Sequence, residues 1–181
     1  MSLQEYREFI SSRAVADQVL GFDPRDINQA MKAHQVAAVE FALRRGKSAS
    51  FLDTGLGKSF IELEFARQCA EETGKPSLIL TPLAVAGQMV REGQKFGIDA
   101  RKIRDQSDVG AGVMVANYER MQKIDPSAFG AIVLDESSIL KSYAGKTRVL
   151  IQDAFMDTPY KLAATATPSP KIGRASCRER V

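Results

Sequence analysis

Two short stretches carry residues able to do chemistry. The first is Phe51-Leu52-Asp53-Thr54-Gly55-Leu56-Gly57-Lys58-Ser59. Its glycines let backbone N–H groups close around phosphate oxygens, and a helix opening at Lys58 turns its N-terminus toward an anion. Lys58 adds positive charge there, and the Ser59 hydroxyl is placed to ligate Mg²⁺. The full pattern G-x-x-x-x-G-K-[ST] has Leu52 at its first position in this chain, so only the core G-x-G-K-S is kept. Taken alone, the stretch also reads as a glycine turn capping a surface lysine. The second stretch is Asp135-Glu136, directly after the apolar run Ala131–Leu134. Mg²⁺ bound to phosphates takes one or two carboxylates and keeps several waters, which fits Asp135 acting through a water. Glu136 is then free to orient or deprotonate an attacking water. Phosphoryl transfer asks for little beyond such positioning and charge neutralisation. Taken alone, this pair also reads as a strand dissolving into an acidic turn.

The elements that must hold these groups follow from periodicity. Leu3, Tyr6, Phe9, Ile10, Ala14 and Val19 recur at helical spacing over 3–19, and GFDPRD at 21–26 is a turn. A helix is expected over about 29–45, with Val36, Val39 and Leu43 on one face and Gly46 as its stop. From there strands and helices alternate. A buried strand over Ala49–Leu52 leads into the glycine loop, and a helix over about 58–72 puts Ile61, Phe65 and Cys69 on one face. Cys69 is thus expected in the core and not as a nucleophile. Strands are expected at Ser77–Leu80, near Lys102–Arg104, at Val113–Ala116, Ala131–Leu134 and Lys161–Ala164, with helices over about 84–95 and 145–156. Short, continuously apolar strands separated by helices predict an α/β fold: a mostly parallel sheet with helices on both faces. Ligands bind such sheets at the carboxyl ends of the strands. Asp53–Ser59, Thr81-Pro82, Asn117-Tyr118, Asp135-Glu136 and Thr165–Thr167 all fall at such ends.

The totals narrow the class. With 181 residues and 44% hydrophobic content, the chain has room for one domain with a core. It holds no apolar run long enough to span a membrane and no secretory signal at its charged start. Cys69 and Cys177 form no metal or disulfide pattern, and a reducing cytoplasm is the expected compartment. A single histidine, His34, excludes sites built on several; it is expected to be a packing residue. The formal charge of +3 belongs to the last residues, KIGRASCRERV at 171–181, because 1–170 is balanced. The basic balance is therefore no sign of nucleic-acid binding by the body of the chain. Residues 171–181 show no periodicity and resemble the translation of a sequencing adapter. They are expected to be a non-native tail that packs against nothing, with a short basic arm for nucleic acid as the other reading. On that expectation the natural chain continues beyond Pro170.

The order GLGKS, TPLAVAGQ, NYE, LDESS, TATPSP resembles motifs I, Ia, Ib, II and III of superfamily 2 helicases and translocases. LDESSILKS and TATPSP are most similar to the branch of chromatin-remodeller-type ATPases and their phage and prophage relatives. The resemblance covers nearly all of 22–170. It implies a RecA-like P-loop domain over 27–170, behind an N-terminal helix and turn over 1–26. It also implies ATP and Mg²⁺ as cofactors, nucleic acid as partner (double-stranded DNA foremost), and a second RecA-like domain that supplies arginines to the phosphates. By the same resemblance Gln35 would hydrogen-bond the adenine edge, and Thr54, Gly55, Leu56, Gly57, Lys58 and Ser59 would hold the phosphates and metal. Asp135 and Glu136 keep the roles argued above. Thr165, Ala166 and Thr167 would couple nucleotide state to the track, while Thr81, Pro82, Gln88, Asn117 and Tyr118 would face nucleic-acid backbone. Motif II ends in Ser137-Ser138, which departs from the Ala-Asp and Ala-His of the RNA-helicase classes. Without a second domain's arginine, worth about 10³–10⁵ in rate, this chain is expected to bind ATP weakly and hydrolyse it barely. A P-loop NTPase with no nucleic-acid track and a non-catalytic nucleotide-binding module are the alternatives.

Overall fold

A computed structural model describes residues 20–53, 55–138, 151 and 153–166. The helix expected over 3–19, most of that over 145–156, Thr54, Thr167 and the tail 171–181 lie outside the described residues. In chain order the described elements are α1 (Ala33–Arg45), β1 (Lys47–Phe51), α2 (Lys58–Thr73), β2 (Ser77–Thr81), α3 (Ala86–Lys95), β3 (Ala100–Lys102), β4 (Val113–Asn117), β5 (Ala131–Leu134) and β6 (Tyr160–Thr165). The six strands form one sheet in the order β1-β6-β5-β2-β4-β3, and every pairing is parallel.

Alternation of side chains divides the core into two layers. Ile79, Val113, Val115, Ala131, Val133 and Leu162 face α1, α2 and α3. Leu78, Leu80, Met114, Ala116 and Ile132 face the other way, toward Tyr118, Met121, Ile124, Phe129, Ile151 and Phe155. Burial on both faces explains why β2 and β4 are buried at every position. Helix α2 lies deepest: Phe60 through Ala66 are all buried, as is Cys69. The Cys69 thiol, pushed up by that burial, sits in the core as expected.

Three boundaries differ from the reading of the sequence. The strand expected as buried over Ala49–Leu52 is an edge strand over Lys47–Phe51 with alternating exposure, and Phe51 is 60% exposed. Among the described residues only β6 flanks it in the sheet, so an apolar run does not here mean a two-sided burial. The β3 strand ends at Lys102, two residues before the expected end; Ile103 still donates its N–H to Val115 O at 2.9 Å. Helix α1 starts at Ala33, because Asn28 Oδ1 accepts from Ala30 N and folds 28–31 into a turn.

The segment before α1 is tied across α2. Gln68 and Arg25 exchange two bonds, Arg25 N to Gln68 Oε1 at 2.9 Å and Gln68 Nε2 to Arg25 O at 2.6 Å. Asn28 Nδ2 donates to Phe96 O at 2.8 Å. Buried Glu64 accepts from Arg67 at 2.6 Å and from Asn28 N at 3.3 Å. Phe22 packs edge-on against Tyr160, with ring centroids 5.2 Å apart. Residues 20–32 are thereby held in one course, which delivers His34 and Gln35 to the glycine loop.

Candidate active site at the strand ends

Parallel registry brings the strand ends to one level. Phe51 pairs with Thr165, Ala163 with Leu134, Leu80 with Leu134, and Thr81 with Asn117. The glycine loop after β1, the acid pair after β5 and the Thr165 end of β6 therefore share one edge.

Two glycines let the loop turn. Gly55 has φ +85° with nothing within 4 Å of where a Cβ would stand. Gly57 caps α2 in the left-handed region at φ +75°, and a Cβ there would meet Gln35 Nε2 at 2.3 Å. A side chain at 57 would thus be strained in the backbone and would displace Gln35. Helix α2 begins at Lys58 with no acidic residue in its first turn and no side-chain cap, so its first N–H groups face the loop. Ser59 sits in that turn.

Gln35 is placed at the loop, but its amide is already engaged. It is 6% exposed. Nε2 donates to Leu56 O at 3.2 Å and to Gly57 O at 3.5 Å, while Oε1 accepts from Lys32 N at 2.9 Å. The adenine-edge role expected for Gln35 meets a side chain that fastens the loop to the start of α1. His34 corrects another expectation: it is exposed, and its Nε2 lies 3.3 Å from Leu56 O instead of packing in the core.

The acid pair is held from three sides. Asp135 N donates to Leu80 O at 2.9 Å, extending the ladder by one residue. The phenol of Tyr118 donates to the Asp135 carbonyl oxygen at 2.7 Å. Glu136 turns into the left-handed region at φ +49°, which is strained for a non-glycine residue. Its Oε1 accepts from Thr165 Oγ1 at 2.9 Å and from Ser138 Oγ. Burial pushes the Asp135 carboxyl up to about 6, against the opposing pull of Lys58. Beneath the pair, Glu62 on α2 is held well above the carboxylate range, first by burial and then by the charge of Asp135.

The residues expected to face nucleic acid divide. Thr81, Asn117 and Tyr118 are buried, which corrects the expectation for these three. Thr81 ends the inner strand β2, Asn117 ends β4 and Tyr118 follows it, and chain covers both faces there. Thr81 Oγ1 is turned back to Pro82 O at 3.1 Å. Gln88 is exposed on α3 and donates to Glu92 Oε1 at 2.9 Å. Pro82 is half-buried beside exposed Leu83. Of the coupling residues, Thr165 is buried on Glu136 and Ala166 is half-buried beside it in sequence.

Sequence reading missed Ser138, Glu62 and the bond made by Tyr118. Glu62 had one local signal: an acid four residues after Lys58 on an otherwise apolar helix face.

No protein-family model and no curated protein matches the chain. Solved structures do. The SWI2/SNF2 ATPase core of Sulfolobus solfataricus in complex with dsDNA aligns with 81% of this chain and 34% of its own, at 20% identity and TM-score 0.67. The UvsW helicase of bacteriophage T4 aligns with 92% and 61%, at 20% identity and TM-score 0.65. A hypothetical ATP-dependent RNA helicase from Sulfolobus tokodaii aligns with 92% and 51%, at 17% identity and TM-score 0.53. This chain spans 34 to 61% of the length of these three. The likeness is one of fold: an all-parallel six-stranded sheet of the RecA-like kind, shared with these structures.

Proposed function

We propose that the chain is the ATP-binding motor domain, over 27–170, of an ATP-dependent DNA helicase or translocase. The observation that carries this reading is the shared edge: the glycine loop, the acid pair and Thr165 meet there, with Thr165 bonded to Glu136. In this reading the N–H groups of 55–59 and the Lys58 ammonium bind the β- and γ-phosphates. The Ser59 hydroxyl and the Asp135 carboxylate are hard oxygen donors that suit Mg²⁺, which would neutralise charge on those phosphates. Glu136, turned out of the strand and held by Thr165 and Ser138, orients the attacking water. Gln35 and His34 fix the loop that does the binding. Thr165 ends the sixth strand and Ala166 and Thr167 come next in the chain, where a change at Glu136 can pass to the nucleic-acid side.

DNA as the track is supported by the complex with dsDNA among the similar structures and by the Ser137-Ser138 end of motif II. Pro82 and Gln88 are the members of the expected contact set that reach the surface.

Two measurements test this. Lys58→Ala should lower affinity for an ATP analogue in Mg²⁺ at least about tenfold, as expected for losing a charge-assisted contact. Unchanged affinity means the loop holds no phosphate. ATPase of the gene product carrying both motor domains should rise on adding double-stranded DNA. No stimulation by any nucleic acid would leave a P-loop NTPase without a track.

A further inference from the structure

One buried acid next to this site has no role in the reading above. Glu62 is 1% exposed, and neither carboxylate oxygen has a hydrogen-bond partner among the described residues. Two residues further along the same helix, Glu64 is equally buried and is met by Arg67, Gln68 Nε2 and Asn28 N. Glu64 is what an acid with a structural task looks like in α2; Glu62 is not of that kind. It stands one helical turn after Lys58, on the same face. The charges of Lys58, Asp135 and Glu136 act on it, with that of Glu92 from α3. A second buried acceptor, Asn117 Oδ1, also lacks a donor among the described residues. Asn117 shares the sheet face of Val115, which α2 covers. Ser48 Oγ and Ser77 Oγ are unpartnered among the described residues as well, but only Glu62 combines two unpartnered oxygens with the nearby charges of Lys58, Asp135 and Glu136, which points to donors that arrive with a ligand.

We propose that Glu62 is a third acidic member of the nucleotide site, a positioning residue that receives donors from Lys58 and from the water shell of the metal held by Ser59 and Asp135. The inference rests on the nucleotide-binding reading above. An ammonium has three donors, so Lys58 can serve the phosphates and still return one to Glu62. Because Mg²⁺ keeps most of its waters, an acceptor in its outer shell tightens the metal without touching it.

The test uses the full chain and a fluorescent ATP analogue, with affinity measured in excess Mg²⁺ and in EDTA. The quantity read is the gain in affinity that Mg²⁺ brings. Glu62→Leu should cut this gain at least about tenfold while leaving the EDTA affinity in place, and Glu62→Gln, which still offers a donor and an acceptor, should restore it to within about threefold. Thermal unfolding of both variants checks that they are folded. A Mg²⁺ gain that is the same in all three proteins overturns the proposal and makes Glu62 a packing residue. Equal loss in both variants overturns it too, since hydrogen bonding would not be what matters. Failure of the unaltered chain to bind nucleotide overturns the parent reading, and this inference with it.

Discussion

Thr165 Oγ1 donates to Glu136 Oε1 across 2.9 Å, joining the last residue of β6 to the carboxylate just past β5. The registry of Ala163 with Leu134 sets this up, because two residues further along each chain reach the same level. Ser138 Oγ donates to the same oxygen. Glu136 is held in its left-handed conformation by partners on both sides.

Thr165→Val keeps the shape of this site and removes the donor. A hydrogen bond to a charged group is worth about 1.5–3 kcal/mol, so ATP turnover, measured with the second motor domain proposed above, should fall about 10- to 100-fold. Binding of the ATP analogue should stay within about threefold. Turnover that survives would show that Glu136 is placed without this bond.

Gln35→Ala separates a loop fastener from a base reader. With Nε2 on Leu56 O and Gly57 O, loss of the amide should weaken ATP and GTP alike, by about 5- to 30-fold. A loss confined to ATP would restore the adenine-edge role. Comparison of the two Kd values on the same preparation decides it.

Tyr118→Phe deletes the donor to the Asp135 carbonyl and leaves the buried ring in place. Amide hydrogen exchange at 135–138 should speed up by about tenfold in the nucleotide-free protein, with the β2 and β4 amides unchanged. Equal protection in both proteins would mean that the Leu80 ladder bond holds the acid pair by itself.

Asp135→Asn should make the nucleotide-free protein more stable at neutral pH. Burial raises this carboxyl from 3.8 to about 6, so the folded state holds its proton more tightly than the unfolded one. Native stability then falls as pH rises from about 4 to 6 and stays lowered above that window. Asparagine carries no such penalty, and the gain at pH 7.5 is of order 1–3 kcal/mol, vanishing near pH 4. Thermal melts of the two proteins across that range measure it. A variant less stable at pH 7.5 than the parent would show that Lys58 outweighs burial. The same substitution should abolish the gain in nucleotide affinity brought by Mg²⁺.

Much of this domain was legible in the chain because its signals are local. Glycines at 55 and 57 before Lys58-Ser59 announce a loop on a helix start, and the structure has that helix begin at Lys58. Apolar runs ending in Thr81, Asn117, Asp135 and Thr165 announce strands with polar ends, and all four end a strand or follow it directly. Ile61, Phe65 and Cys69 at helical spacing announce a buried face. Each of these depends on residues within a few positions of one another, through backbone sterics and side-chain period.

The rest depended on which strands became neighbours. Nothing near Ala49 in sequence says that β1 stands at the edge with Phe51 in the open; the crossover order says it. Asn117 and Tyr118 read as strand-end polar groups, yet chain covers both faces of β4 and buries them. Gln35 reads as a ligand residue, yet a segment pinned to α2 through Arg25, Asn28 and Gln68 brings it onto the loop backbone. Thr165 and Glu136 are 29 residues apart, and only parallel registry makes them partners. Local sequence chose the elements and the reactive side chains; packing over long separations chose the partner of each polar atom, because a buried donor or acceptor bonds with whatever the neighbouring strand or helix presents.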